Sequence, residues 1–168
     1  MKPVKQRPEL GESRSFEEVV LPHLDAAYNL ARWLVRNGQD ADDVVQDAYL
    51  RAFQYFGTFR GGSGRAWLLT IVRSAYFRHL QKNRAQQFAA VFDEEVHRGT
   101  QEGPNPETLL LQSDESTVLE QAMRSLPVRF REVLVLRELE GLSYREISDV
   151  VGIPMGTVMS SLFGLARP

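Results

Sequence analysis

Residues 59–84 read FRGGSGRAWLLTIVRSAYFRHLQKNR, and this stretch decides how the chain folds. Leu68, Ile71, Val72, Ala75, Tyr76 and Leu80 recur at i, i+3, i+4, i+7, i+8 and i+12, a spacing that a helix gathers onto one buried face. Arg60, Arg65, Arg73, Arg78, Lys82 and Arg84 share the stretch with no Asp or Glu, so the rest of that helix is cationic. Gly61, Gly62 and Gly64 precede it as a loop able to bend closely around a partner. Charge for phosphates together with the rings of Trp67, Tyr76, Phe77 and His79 suits single-stranded nucleic acid. The same residues equally describe a core helix, with Trp67 and Tyr76 inside and a solvated basic face outside.

Working outward, the chain of 168 residues carries 20 Lys+Arg against 22 Asp+Glu, so any nucleic-acid surface has to come from segregation of charge. Segregation is present. Asp40, Asp42, Asp43 and Asp47 precede the basic helix, and Asp93, Glu94, Glu95, Glu102, Glu107, Asp114 and Glu115 follow it. Without cysteine there is no disulfide, thiol nucleophile or thiolate metal site. No stretch reaches the roughly 20 apolar residues of a membrane span, and MKPVKQRPELGESRS lacks a signal peptide's apolar centre; a cytoplasmic protein without membrane insertion is expected.

Residues 1–15 read as a mobile tail. Residues 16–37 carry Ala27, Leu30, Ala31, Leu34 and Val35 at helical spacing and stop at Asn37-Gly38. The next helix is expected to start with Asp40 as its cap and to bury Val45, Ala48, Tyr49, Ala52, Phe53 and Phe56. Capping accounts for Asp40. Asp43 and Asp47, four apart, are a like-charge pair without a local stabilising role, and read as an acidic face awaiting a basic partner. The first domain, residues 16–84, would then be three packed helices.

Residues 85–115 are acidic, contain GPNP and lack sustained periodicity, the pattern of a flexible linker, with a short helical piece around 86–92. A second helical domain, 116–168, opens with Val118, Leu119, Ala122 and Met123 as its first stripe. Leu126-Pro127 starts another helix with Phe130, Val133, Leu134 and Leu136 inward, closed by Gly141. Ser143 with Glu146 forms a capping box, Gly152 falls at a tight turn, and Ile147, Val151, Ile153, Val158 and Leu162 stay in register. This is helix-turn-helix spacing, although an ordinary helical hairpin shares it.

The fold class expected is all-α, two small helical domains joined by a flexible acidic linker. Through DADDVVQDAYLRAF, FRGGSGRAWLLTIVRS and LPVRFREVLVLRELEGLSYREISDVVGIPMGTV, in that order, the chain resembles bacterial sigma factors of the extracytoplasmic-function (ECF) group of the sigma-70 family. The resemblance implies core RNA polymerase as a partner, its beta-prime clamp helices meeting Asp40, Asp43, Gln46, Asp47 and Arg51. It implies that an unpaired base of the minus-ten promoter element and the melted strand are held by Arg60, Ser63, Arg65, Trp67, Arg73, Ser74, Tyr76, Phe77, Arg78, Lys82 and Arg84. Stacking worth about 1–3 kcal/mol per base would offset part of the unpairing cost. Double-stranded DNA at the minus-thirty-five element would meet Ser143, Arg145, Met155, Thr157, Met159, Ser160, Phe163 and Arg167. The linker would thread toward the polymerase active site and RNA exit path, and an anti-sigma factor would hold both domains until a signal arrives.

The chain departs from that pattern in two places. Ser74 and Arg78 stand where the family commonly has Asn and Asp, and residues 155–168 carry Arg167 as their one cation. Met159 and Phe163 could instead offer an apolar surface to a protein partner. Two other readings follow: a sigma-like decoy that binds polymerase or an anti-sigma factor without starting transcription, and a plain helix-turn-helix repressor, which leaves the acidic and basic helices unexplained. No enzymatic function is expected: His23, His79 and His97 are scattered, and no metal site, phosphate loop or cofactor motif is present.

Overall fold

The computed structural model describes residues 14–93 and 114–165, so the tail, most of the linker and Arg167 lie outside the described residues. Every regular element among those residues is helical. Helix α1 (Phe16–Val20) starts on a capping box in which Ser15 N–H donates to Glu18 Oε2 at 3.1 Å and Glu18 N–H donates to Ser15 Oγ at 3.3 Å. A 3₁₀ turn (Leu21–His23) containing Pro22 leads into α2 (Leu24–Leu34). The expected single helix over 16–37 is therefore broken, because Pro22 has no N–H to continue the ladder.

Helix α3 (Gly38–Tyr55) is capped by Asn37, whose Oδ1 accepts from the Asp40 N–H at 2.8 Å. This corrects the expected cap: Asp40 lies in the first turn, where the helix dipole favours its charge. Its buried stripe also differs from the expected one. Ala41, Val44, Ala48 and Ala52 are buried, and Phe53 is 68% exposed, its ring edge-on to Phe16 at 5.4 Å. Small side chains win the interior of α3 because α2 and α4 both press against it.

Helix α4 (Gly64–Asp93) contributes Leu68, Leu69, Val72, Ala75 and Tyr76 to the core and runs past the expected end at Arg84, absorbing the helical piece expected around 86–92. Its first residue is a glycine for a packing reason. A Cβ at Gly64 would sit 2.6 Å from the Val19 carbonyl oxygen and 2.7 Å from Val19 Cγ1.

In the second half, α5 (Asp114–Ser125) buries only Met123 of its expected stripe, and Val118 and Leu119 are exposed. What anchors α5 is polar: Arg124 donates to the carbonyls of Val35 and Arg32 at the end of α2, satisfying acceptors that a helix terminus leaves open, with Trp33 under its guanidinium at 5.1 Å. Helix α6 (Val128–Leu134) opens on Pro127 and loosens into a π turn (Val135–Leu139), closed by Gly141. Helices α7 (Tyr144–Val151) and α8 (Met155–Leu165) turn through 105° around Gly152, whose φ of 74° is a left-handed conformation that favours glycine.

The two halves do not stand apart. Helix α6 packs on α2 and α7 on α4, so that Leu30, Val72, Val133, Leu136 and Ile147 belong to one continuous apolar core. Gly64→Ala should therefore destabilise the whole molecule by roughly 1–3 kcal/mol through overpacking against α1, seen as a lower Tm in thermal circular dichroism; an unchanged Tm would mean that α1 yields freely.

Candidate nucleic-acid interface

The structure sorts the basic residues of α4 by what already holds them. Arg60 is exposed in the loop where Gly61 and Gly62 take φ of 91° and 83°. Ser63 caps α4, its Oγ accepting from the Ala66 N–H at 3.1 Å. Trp67 is half-buried in an aromatic cluster, edge-on to Phe59 at 5.4 Å and to Phe56 at 6.1 Å, with Phe56 and Phe59 stacked at 6.0 Å. Tyr76 is buried, while its neighbour Phe77 is 37% exposed. Ser74, Lys82 and Arg84 are exposed.

Arg73 is engaged elsewhere. Its Nε donates to Glu132 Oε2 at 2.8 Å and its Nη2 to Glu132 Oε1 at 3.2 Å, a bidentate pair across the two halves, with the guanidinium 4.7 Å from the Phe77 ring. Glu132 is 2% exposed; burial raises its pKa, and the two hydrogen bonds and charge of Arg73 oppose that rise. Arg65 likewise turns to the second half and donates to the Glu140 carbonyl, while Asn29 Nδ2 donates to Glu140 Oε1 at 2.6 Å. Neither Glu132 nor Glu140 was singled out by the sequence reading. The signal was present, since a charged pair, Arg131-Glu132, interrupts an apolar helix stripe, and buried charges require partners.

The acidic face of α3 is partly answered within the chain. Asp47 pairs with Arg51 at 3.0 Å and with Arg78 at 3.4 Å, and Asp40 meets His79 Nε2 at 3.2 Å. Asp47 thus has a local partner that its spacing did offer, Arg51 four residues on, which corrects the expectation of no local role, and a second, Arg78, that reaches it only once α4 packs on α3. Asp43 and Gln46 remain exposed, and Asp43 has no ion pair among the described residues.

In the helix-turn-helix, Ser143 Oγ accepts from the Glu146 N–H at 3.2 Å and Ser143 N–H donates to Glu146 Oε2 at 2.8 Å. The Ser143 backbone, then the Ser143 and Ser63 hydroxyls and the Arg65 charge, hold the Glu146 carboxyl below its ordinary pKa against partial desolvation. Arg145, Thr157, Ser160, Met155 and Phe163 are exposed, and Met159 is half-buried. Residues 155–165 of α8 carry hydroxyl and apolar side chains and no formal charge. Ser63, Trp67 and Thr70 of the first half share a cleft of about 450 Å³ with Ser143, Arg145, Glu146 and Asp149 of α7, so the candidate single-strand surface and the helix-turn-helix face each other. No group of three or more His, Asp or Glu able to hold a metal occurs among the described residues, and no single helix among them is long and apolar enough to cross a membrane.

Comparison with known proteins places this geometry. Residues 19–86 match the sigma-70 region 2 family and residues 116–163 match sigma-70 region 4. The chain is 34% identical over 148 residues to the ECF RNA polymerase sigma factor SigE of Mycolicibacterium smegmatis, covering 88% of this chain and 57% of that protein. It is 32% identical over 165 residues to the RNA polymerase sigma-H factor of Pseudomonas aeruginosa, covering 94% of this chain and 86% of the relative. Among solved structures, the sigma factor RpoE in complex with the anti-sigma factor NepR from Bartonella quintana superposes with a TM-score of 0.67 at 25% identity, covering 87% of this chain and 88% of that one.

Ser143→Ala should cost about 1 kcal/mol of stability at neutral pH and raise the Glu146 pKa toward its ordinary value, both measurable by thermal melts and NMR titration. The lowered folded pKa means that the stabilisation is present above the unfolded pKa and is lost as pH falls through the folded one; the difference between wild type and variant should therefore shrink on acidification.

Proposed function

Because the chain belongs to the ECF group of the sigma-70 family, we propose that it binds core RNA polymerase, recognises the minus-ten and minus-thirty-five promoter elements and promotes DNA melting, without catalysis of its own. The observation that carries this reading is the pairing, in one chain, of a long cationic helix flanked by a glycine loop and aromatic rings with a helix-turn-helix. Arg60, Lys82 and Arg84 are free to meet phosphates, and Phe77 and Trp67 offer ring faces or edges to unstacked bases. Asp43 and Gln46 supply an outward polar face on α3 for the polymerase clamp. An anti-sigma factor is the regulatory partner, a reading supported by the likeness to the RpoE structure solved with NepR.

Both promoter elements cannot be engaged while the two halves face each other. Freeing Arg73 for a phosphate breaks two charge-assisted hydrogen bonds and strands the Glu132 carboxylate unless the halves separate and water reaches it. Opening is therefore coupled to polymerase or DNA binding, which supply new contacts to both surfaces. The minus-thirty-five contribution rests on Thr157, Ser160 and backbone groups of α8 together with Arg145 of α7, so few counterions are released there.

Transcription from a promoter library by purified core polymerase tests the reading. Specific initiation should require this protein and should fall at least tenfold in an Arg60→Ala, Lys82→Ala double variant that keeps its helical content. Asp43→Lys should weaken core binding without changing the fold. Glu132→Gln, which keeps the shape but removes the charge that holds Arg73, should raise affinity for promoter DNA in a fork carrying an unpaired minus-ten strand; equal or lower affinity would mean that Arg73 does not reach DNA. The uncharged α8 favours a sigma-like decoy as the second reading, and core binding without initiation from any promoter would select it.

A further inference from the structure

A cleft of about 560 Å³ opens between α2, α4 and α6, at the seam of the two halves and away from the α7 side described above. Three guanidiniums line it: Arg36 just after α2, Arg84 on α4 and Arg131 on α6. None of the three has an ion pair among the described residues. Arg36 and Arg84 are exposed, but Arg131 is 8% exposed, hydrogen-bonded through Nη1 only to the Arg124 carbonyl at 3.2 Å, and its Nε is buried without a partner. Burial first, then the charge of Arg124, lower the Arg131 pKa; Tyr76 opposes that fall and Arg36 adds to it. The three also act together on one atom group: burial raises the pKa of the Tyr76 phenol and Arg131, Arg84 and Arg36 each oppose that rise. The one carboxylate in the lining, Asp40, is already held by Asn37 Nδ2 at 2.9 Å and by His79. Glu132, next to Arg131 in sequence, is taken by Arg73.

The cost of burial falls on Arg131, whose unpartnered Nε an anion would satisfy, and from the other half the solvent-facing Arg36 and Arg84 add positive charge to the same cleft. Its size is that of a small-molecule site, and half-buried Leu80 and Val128 give it an apolar wall. Guanidiniums match phosphate oxygens in a fork geometry, and three of them offer more N–H donors than the oxygens of one phosphate accept. We propose that this cleft binds a small diphosphate-bearing molecule, its oxygens bridging Arg36 and Arg84 of the first half to Arg131 of the second, and that the bound molecule holds the two halves together. The ligand would thereby stabilise the packed arrangement at the expense of the open one that promoter binding requires.

Isothermal titration calorimetry on the full chain at low salt tests this with pyrophosphate, ADP and adenosine as probes. Pyrophosphate and ADP should bind at one site and raise the Tm, and adenosine should not bind; tighter binding of ADP than of pyrophosphate would identify an organic diphosphate that uses the apolar wall, and equal binding the diphosphate alone. Arg36→Ala and Arg84→Ala, both at exposed positions, should each weaken binding about tenfold. Arg129→Ala removes the same charge from α6 outside the cleft and should bind as wild type. Absence of binding by both phosphate probes, wild-type affinity in the Arg36 and Arg84 variants, or an equal loss in Arg129→Ala would overturn the proposal.

Discussion

The Arg73–Glu132 pair sets how the two halves of this chain meet. Glu132 lies in an apolar stripe of α6 between Arg131 and Val133, where an ionised carboxylate is tolerated only with a partner that satisfies both oxygens. Arg73 does that with two parallel hydrogen bonds from α4, and the requirement fixes the register of α6 on the first half more narrowly than apolar packing could. Around it, Arg65 and Asn29 converge on Glu140, and Arg124 finishes the last carbonyls of α2. Each of these contacts is polar and crosses between the halves, so they add specificity to the apolar core that the halves share and can themselves be exchanged for water or for a nucleic-acid backbone.

That exchange is what a promoter-specificity subunit of this kind needs. An interface of buried aliphatic side chains alone would resist opening, whereas guanidinium hydrogen bonds can pass from carboxylate to phosphate with little loss. Arg73 is the charge proposed to serve twice, holding Glu132 in the packed form and meeting a DNA phosphate once the halves separate. The seam carries a surplus of arginine on its α2–α4–α6 side and a closer match of charge on its α4–α7 side, where Arg145, Glu146 and Asp149 line one cleft and the Arg65 charge acts on Glu146. This asymmetry sets the proposed anion cleft apart from the α4–α7 cleft, while Arg84 is common to the anion cleft and to the phosphate contacts proposed for DNA.

Much of the fold was legible from local patterns. The α4 stripe, the Ser143–Glu146 capping box and the left-handed Gly152 were all readable because each depends on residues within a few positions of one another. Less was legible where partners are distant in the chain. The stripe of α3 was displaced toward larger side chains because the tight approach of two neighbouring helices selects alanine, a preference invisible in α3 alone. The pairing of Asp47 with Arg51, four residues on, was open to a local reading, but its pairing with Arg78 was hidden because Arg78 lies 31 positions away, and the role of Arg73 was hidden because Glu132 lies 59 positions away.

By itself, the sequence determined the helical class, the two-part organisation, the basic aromatic character of α4 and the turn between α7 and α8, since periodicity, capping and charge segregation are local properties of the chain. Only the tertiary structure decided which of the basic residues are free. Arg60, Lys82 and Arg84 face solvent, Arg65 and Arg73 are held by the second half, and Arg78 is held by α3. The reason is that a charge is spent or available according to what lies within about 4 Å of it, and that distance is set by the packing of helices far apart in sequence.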